Sequence, residues 1–343
     1  MEFFGRLLLS HRPKPLTTKA LTEKSWFSFA AQTWQNACTC ITSFNYEFDL
    51  SVGGSGANNS AGGGSGGDSY ELVDFNSMAH FDEPEDYFDV EIHVDKSLGS
   101  LYKDCVKIAK NYTTSKMNSK GKSTPKIFKT NHGLRAAWFD AWYPKPDDEF
   151  SIFVEDDLEL SPYWYIWLKK TWRHYGNRSD IAGIALQRQF NMFQKPAADV
   201  EINNEGMPFL YKLVATWGFS PHPKHWREFL DWFHSIDNEK FDPYVPGLIT
   251  SDWLHIHTTM GKRHMTWEQW HIYYGERHGL YTLYHNLPRR RTTLASNWRE
   301  AGVHTRNSFN TKDYPTLDYC AIELQEFPEK IDKIWVGMHG KKR

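Results

Sequence analysis

The chain has 343 residues, with 40 Lys plus Arg against 42 Asp plus Glu and a formal net charge of -2. That length holds one large or two modest domains with a full core. The near-balance of charge argues against a nucleic-acid surface or a polybasic membrane patch. No apolar run reaches the roughly 18 residues needed to span a bilayer. The start, Met1 to Leu9, lacks a basic segment ahead of its apolar one and makes a poor signal peptide, so the expectation is a soluble chain as given.

Residues 1–86 are expected to form a poorly ordered N-terminal region. Within it, Gly53 to Gly67 is a Gly/Ser/Asn/Ala tract that reads as a flexible linker. Periodicity begins near Phe88. Phe88, Val90, Ile92 and Val94 alternate with polar residues up to Asp95, which predicts a strand with one exposed face. Leu98, Leu101, Cys105, Ile108 and Tyr112 then recur at helical spacing, with Ser97 as a cap. A short strand is expected at Lys126 to Phe128 and a helix over Gly133 to Trp142.

The apolar stretch Ile152 to Val154 reads as the next strand, and Ser161-Pro162 as the start of a helix that runs to Tyr175 and is closed by Gly176. Strands follow at Ile181 to Leu186 and Phe209 to Val214. Trp226, Phe229, Leu230 and Phe233 mark an amphipathic helix, and a last helix opens at Thr266 and stops at Gly279. Strands alternating with helices predict an α/β fold with a mainly parallel sheet and helices on both faces. In such a sheet ligands bind at the carboxyl ends of the strands.

Composition adds little. Aromatics reach 16% with 15 Trp, and a Trp-rich core accounts for them before sugar stacking does. The spacing of Cys38, Cys40, Cys105 and Cys320 fits neither a zinc site nor a dense disulfide framework, which leaves the redox compartment open. Sequons at Asn58, Asn111 and Asn177 are compatible with a secretory lumen.

Two constellations carry chemistry. Glu155-Asp156-Asp157 directly follows the strand at Ile152 to Val154. Carboxylates at a strand end suit Mn²⁺ or Mg²⁺ with positions open for a diphosphate, although a solvated acidic turn has the same composition. Downstream, Thr266 and Gln269 have capping-box spacing, which leaves Glu268 in the first turn without a structural duty. The helix dipole there favours an ionised carboxylate, as a general base requires. Two weaker signals are His257, His264, His271, His278 and His285, spaced every seventh residue, and the run Arg289-Arg290-Arg291. Residues seven apart on a helix lie two turns apart, too far to share one zinc unaided.

Val154 to Pro162 resembles the metal-binding segment of the inverting N-acetylglucosaminyltransferases of glycosyltransferase family 13 (N-acetylglucosaminyltransferase I and protein O-mannose type). Trp267-Glu268-Gln269-Trp270 followed by Gly275-Glu276-Arg277-His278-Gly279 is similar to that family's catalytic helix. Gly302-Val303-His304 and Trp217-Gly218-Phe219 resemble two further stretches of it. The resemblance covers about residues 87–310, taken as a GT-A (Rossmann-like) catalytic domain, with 311–343 as a C-terminal extension. It implies a UDP-sugar donor and Mn²⁺ (or Mg²⁺), with Asp157 as direct metal ligand and Glu155 and Asp156 near the ribose and sugar. It places Asp95 at the uracil, Glu268 at the catalytic base where the family has Asp, and Trp217, Trp267 and Trp270 on the acceptor side.

The implied function is metal-dependent inverting transfer of a sugar, foremost N-acetylglucosamine, to a glycan or glycoprotein hydroxyl in the Golgi or secretory lumen. One departure stands out: the family's first apolar strand and nucleotide loop fall where this chain has its Gly-rich tract. Leu7-Leu8-Leu9 offers such a strand only across some 75 residues, far beyond usual connections. The rival readings are an impaired GT-A-like sugar- or nucleotide-binding domain and a metal-dependent hydrolase.

Overall fold

The computed structural model describes residues 5–10, 89–97, 102–115, 123–145, 147, 150–155, 158–189, 204–287, 292–299, 311–312, 314–318 and 321–334. Their architecture is mixed α/β. The strands are β1 (Gly5–Ser10), β2 (Asp89–Val94), β3 (Ser123–Ile127), β4 (Ser151–Val154), β5 (Leu158–Leu160) and β6 (Ile181–Ala185). They continue with β7 (Phe209–Tyr211), β8 (Phe219–Pro221), β9 (Tyr281–Tyr284), β10 (Ala295–Arg299), β11 (Thr311–Lys312) and β12 (Asp332–Ile334). The six α-helices among the described residues are α1 (Tyr102–Ser115), α2 (Gly133–Phe139), α3 (Trp164–Tyr175), α4 (Pro223–Ser235), α5 (Ile249–Thr259) and α6 (Glu268–His278).

Nine strands form one sheet in the order β12-β7-β9-β6-β8-β4-β1-β2-β3, and β11-β10-β5 form a second. The large sheet is mixed rather than mainly parallel. Only β12 with β7, β9 with β6 and β2 with β3 pair in parallel. The reason is insertion: β8 and β1 run back between strands that share a direction, antiparallel to both neighbours. Strands β2, β3, β4, β6 and β9 still point the same way, so their carboxyl ends line one edge.

Strand β1 pairs Leu7 with Ile92 of β2 on one side and with Val154 of β4 on the other. The Leu7 to Leu9 run thus occupies a central position, antiparallel to both neighbours. This changes the environment of β2. Val90, Ile92, His93 and Val94 are all buried, so the expected exposed face is absent except at the half-buried Glu91. Glu91 accepts from His93 Nε2 at 3.1 Å and pairs with Lys126 at 2.5 Å, which holds its carboxyl below the usual range against the opposing effect of burial.

Alternation along β4 sends Ile152 and Val154 into one apolar layer and Phe153 into the other. The first layer contains α1, α3 and the small sheet. The second contains α2, α4 and α6 and is dense with rings, including Trp138 stacked on Trp267 at 3.9 Å. Offset stacks and edge contacts of this kind add to area burial.

Helix α4 forms where the spacing of Trp226, Phe229, Leu230 and Phe233 predicts, with Pro223 in its first turn. Helix α3 starts two residues after Pro162. Ser161 Oγ accepts the Tyr163 N–H at 3.1 Å, and the helix ends at a Gly176 that stays right-handed. No helix of the described residues is long and apolar enough to cross a membrane.

Candidate functional site at the carboxyl edge of the sheet

Each element that carries a sequence-predicted site residue reaches the same edge. Asp95 follows β2 and Glu155 follows β4. Helix α2 leaves β3 at that edge, and α6 runs down to the opposite edge before β9, so both helices begin beside the strand carboxyl ends. Topology alone therefore brings Asp95, Glu155 and the first turn of α6 to one side of the molecule.

Asp95 is buried at 3% exposure, and its carboxylate is already engaged. Oδ1 accepts from His132 N–H at 2.9 Å and Lys96 N–H at 2.8 Å, while Oδ2 accepts from His132 N–H at 3.0 Å and Gly133 N–H at 3.2 Å. Gly133 enters α2 at φ +74°, a left-handed conformation that favours glycine, and this lets consecutive N–H groups converge on one carboxylate. Asp95 thus ties the end of β2 to the start of α2.

Glu155 is buried at 7% exposure, and strand alternation puts it on the Phe153 side of the sheet, the side that holds α2, α4 and α6. Asp156 and Asp157 lie outside the described residues, as do Arg289 to Arg291 and Gly302 to His304. Among the described residues no group of three or more His, Cys, Asp or Glu is placed to hold a metal ion.

Glu268 is the first residue of α6 and is partly buried. Its Oε2 accepts the Trp267 N–H at 3.1 Å. Desolvation outweighs that bond and a second one from the residue's own backbone N–H, and the carboxyl is pushed up to about 7. The dipole was expected to keep Glu268 firmly ionised; enclosure reverses this and poises the group near neutrality.

The capping box does not form. Thr266 Oγ1 is hydrogen-bonded to His257 Nδ1 at 2.7 Å, and Trp267 occupies the cap position with no side-chain cap. Gln269 instead accepts from Thr250 Oγ1 at 2.6 Å and donates to Pro243 O at 2.6 Å, fastening α6 to its neighbours. The other end follows expectation: Gly279 stops the helix at φ +69°.

Of the three tryptophans expected on the acceptor side, two are core residues. Trp267 and Trp270 are 1% and 0% exposed within the ring-rich layer, which removes them from contact with a ligand. Trp217 stays partly exposed, and its backbone N–H donates to Gln187 Oε1 at 3.2 Å just beyond β6. The seven-residue histidines disperse. His271 sits against the Phe229, Phe219 and Trp226 rings, His278 stacks on Tyr274 at 4.0 Å, and His285 hydrogen-bonds Leu186 O at 2.9 Å.

Sequence reasoning passed over Gln187-Arg188-Gln189 at the carboxyl end of β6. No motif marks them; strand direction alone puts them at the site edge. Cys105 is disulfide-bonded, and the other three cysteines of the chain lie outside the described residues. No family model and no curated protein matches the chain.

Proposed function

We propose that the chain is a metal-dependent inverting glycosyltransferase of GT-A type that moves a sugar, foremost N-acetylglucosamine, from a UDP-sugar to a glycan or glycoprotein hydroxyl. The observation that carries this reading is Glu268. It is a partly buried carboxyl poised at about 7, at the head of α6, on the edge where Glu155 follows β4. A general base works best with a pKa near the working pH, and this placement supplies one. The resemblance of the two acidic motifs to a known glycosyltransferase family points the same way.

In the reaction the acceptor hydroxyl oxygen attacks the anomeric carbon while the bond from that carbon to the diphosphate oxygen breaks. Glu268 takes the hydroxyl proton, and UDP leaves with the bonding pair. Asp157 would hold Mn²⁺ or Mg²⁺, its carboxylate being a hard oxygen donor of the kind these ions take, with Glu155 and Asp156 near the ribose and sugar. When bound, the cation neutralises charge on the departing diphosphate. Asp95 fixes the β2–α2 corner and, through it, the wall of the nucleotide side. Trp217 offers a ring face to the acceptor.

Residence in a secretory lumen is part of the proposal. The Cys105 disulfide fits an oxidising compartment. Asn177, in the sequon Asn177-Arg178-Ser179, lies exposed in the turn before β6, at the sheet edge opposite the site. The test of function is turnover of a panel of UDP-sugars with Mn²⁺ and hydroxyl acceptors. Release of UDP that depends on acceptor supports transfer. Release without acceptor would assign a hydrolase instead.

A further inference from the structure

Arg188 is a buried cation at the site edge with no counter-charge among the described residues. The residue is 5% exposed. Its backbone N–H donates to Thr293 Oγ1 at 2.9 Å, and Nη1 donates to Leu287 O at 2.7 Å. Nε is buried with no hydrogen-bond partner. No carboxylate among the described residues pairs with the guanidinium. Its neighbours cannot neutralise it: Gln187 accepts from Trp217, and Gln189 donates to the Tyr284 hydroxyl at 3.0 Å. His285 beside it is held uncharged, its pKa pushed down to about 3 by burial. Burying an unpaired guanidinium is costly, and proteins tolerate it where a ligand completes the pair.

The geometry says what that ligand offers. With Nη1 turned to Leu287, the donors that remain side by side are Nε–H and Nη2–H, the fork that grips two oxygens of one oxyanion. The same chain shows the fork filled at Arg178, whose Nε and Nη2 reach Asp180 Oδ1 and Oδ2 at 3.0 and 2.9 Å. Arg178 sits at the amino end of β6 and Arg188 at its carboxyl end, where ligands enter. We propose that Arg188 is an oxyanion-binding residue whose Nε/Nη2 fork receives a phosphate group of the nucleotide-sugar diphosphate. This rests on the glycosyltransferase reading. It assigns part of the diphosphate's charge to β6, apart from the acidic run after β4.

The test is calorimetric titration of the full chain with uridine, UMP and UDP in Mn²⁺, comparing wild type, Arg188→Gln and Arg188→Lys. Arg188→Gln is expected to bind uridine as wild type does and to lose about 10–100-fold in UDP affinity, as for a lost charge-assisted pair. Arg188→Lys keeps the charge without the fork and falls between the two. A folded Arg188→Gln protein with wild-type UDP affinity overturns the proposal, including the case in which only an anionic acceptor binds less well. If Arg188→Gln fails to fold, Arg188→Lys decides, and wild-type UDP affinity there overturns it. A wild type that binds no uridine nucleotide rejects the glycosyltransferase reading instead. Inorganic pyrophosphate then decides Arg188: weaker binding by the variant sustains the oxyanion fork, and equal binding removes it.

Discussion

Glu268→Gln separates the catalytic from the structural role of that residue. In the folded protein the carboxyl rises from its ordinary 4.5 to about 7. At ~1.36 kcal/mol per pH unit the ionised form is therefore about 3 kcal/mol costlier in the folded than in the unfolded chain. Partial exposure of Glu268 trims this to about 1–3 kcal/mol. The sign follows from the direction of the shift: a raised pKa means stability that is fully present below about 4.5 and lost as pH rises through about 7. Gln removes that loss while its amide oxygen still accepts the Trp267 N–H. Its thermal transition at about pH 8 should lie above that of wild type. Sugar transfer should meanwhile fall by ~10²–10⁴-fold, as for a missing general base, with donor binding unchanged. Wild-type transfer should rise with pH through about 7 and then level off. The assays are a melting curve and a transfer rate on the same preparation. Normal transfer by folded Glu268→Gln refutes the base assignment and makes Asp252, in the first turn of α5, the next candidate. Unchanged stability at about pH 8 refutes the desolvation argument.

The remaining predictions concern the frame around the site. His222, His271 and His285 are pushed down to about 4, 3 and 3, chiefly by burial. Their stabilising contribution is present above the unfolded value of about 6.5 and lost as pH falls below it, by ~1.4 kcal/mol per group at about pH 5.5. Melting should drop steeply between neutrality and about pH 5, and His271→Phe should flatten that drop; an unchanged slope counts against the assignment. Trp267→Ala should cost ~3–5 kcal/mol, as expected for a buried ring, whereas Trp217→Ala should leave melting nearly unchanged and raise the acceptor KM. The opposite pattern would return Trp267 to the acceptor side. Deleting residues 1–10 removes β1 from between β2 and β4, and the cooperative transition should vanish. A truncated chain that melts as wild type does would show that β1 is dispensable.

What the sequence made legible was local. Helix α4 announces itself because four large apolar residues fall on one face, and β6 because every residue of Ile181–Ala185 is buried. Helix α5 gives no such stripe: Trp253 and Ile256 point outward at 39% and 53% exposure. Strands β5, β8 and β12 hold three residues each, too few for a period to show. The central place of β1 is a matter of pairing across a long intervening run, which periodicity does not register. In the site, Glu155, Asp95 and Glu268 were legible because strand ends and helix starts are written in neighbouring residues. Their energetics were not. Asp95 is engaged by N–H groups some 37 positions away, and the pKa of Glu268 depends on what encloses it. Arg188 stands out only once the absence of a counter-charge among the described residues around it is known in three dimensions.

The proposed function requires a metal-dependent UDP-sugar site at the carboxyl edge of the sheet. Calorimetric titration of wild type and Asp157→Ala with UDP-N-acetylglucosamine, each with and without Mn²⁺, tests it most directly. Wild type should bind the nucleotide sugar tightly only with Mn²⁺, and Asp157→Ala should melt as wild type does but lose the Mn²⁺-dependent affinity. Mn²⁺-independent binding by wild type, or an undiminished Mn²⁺ effect in folded Asp157→Ala, would contradict it.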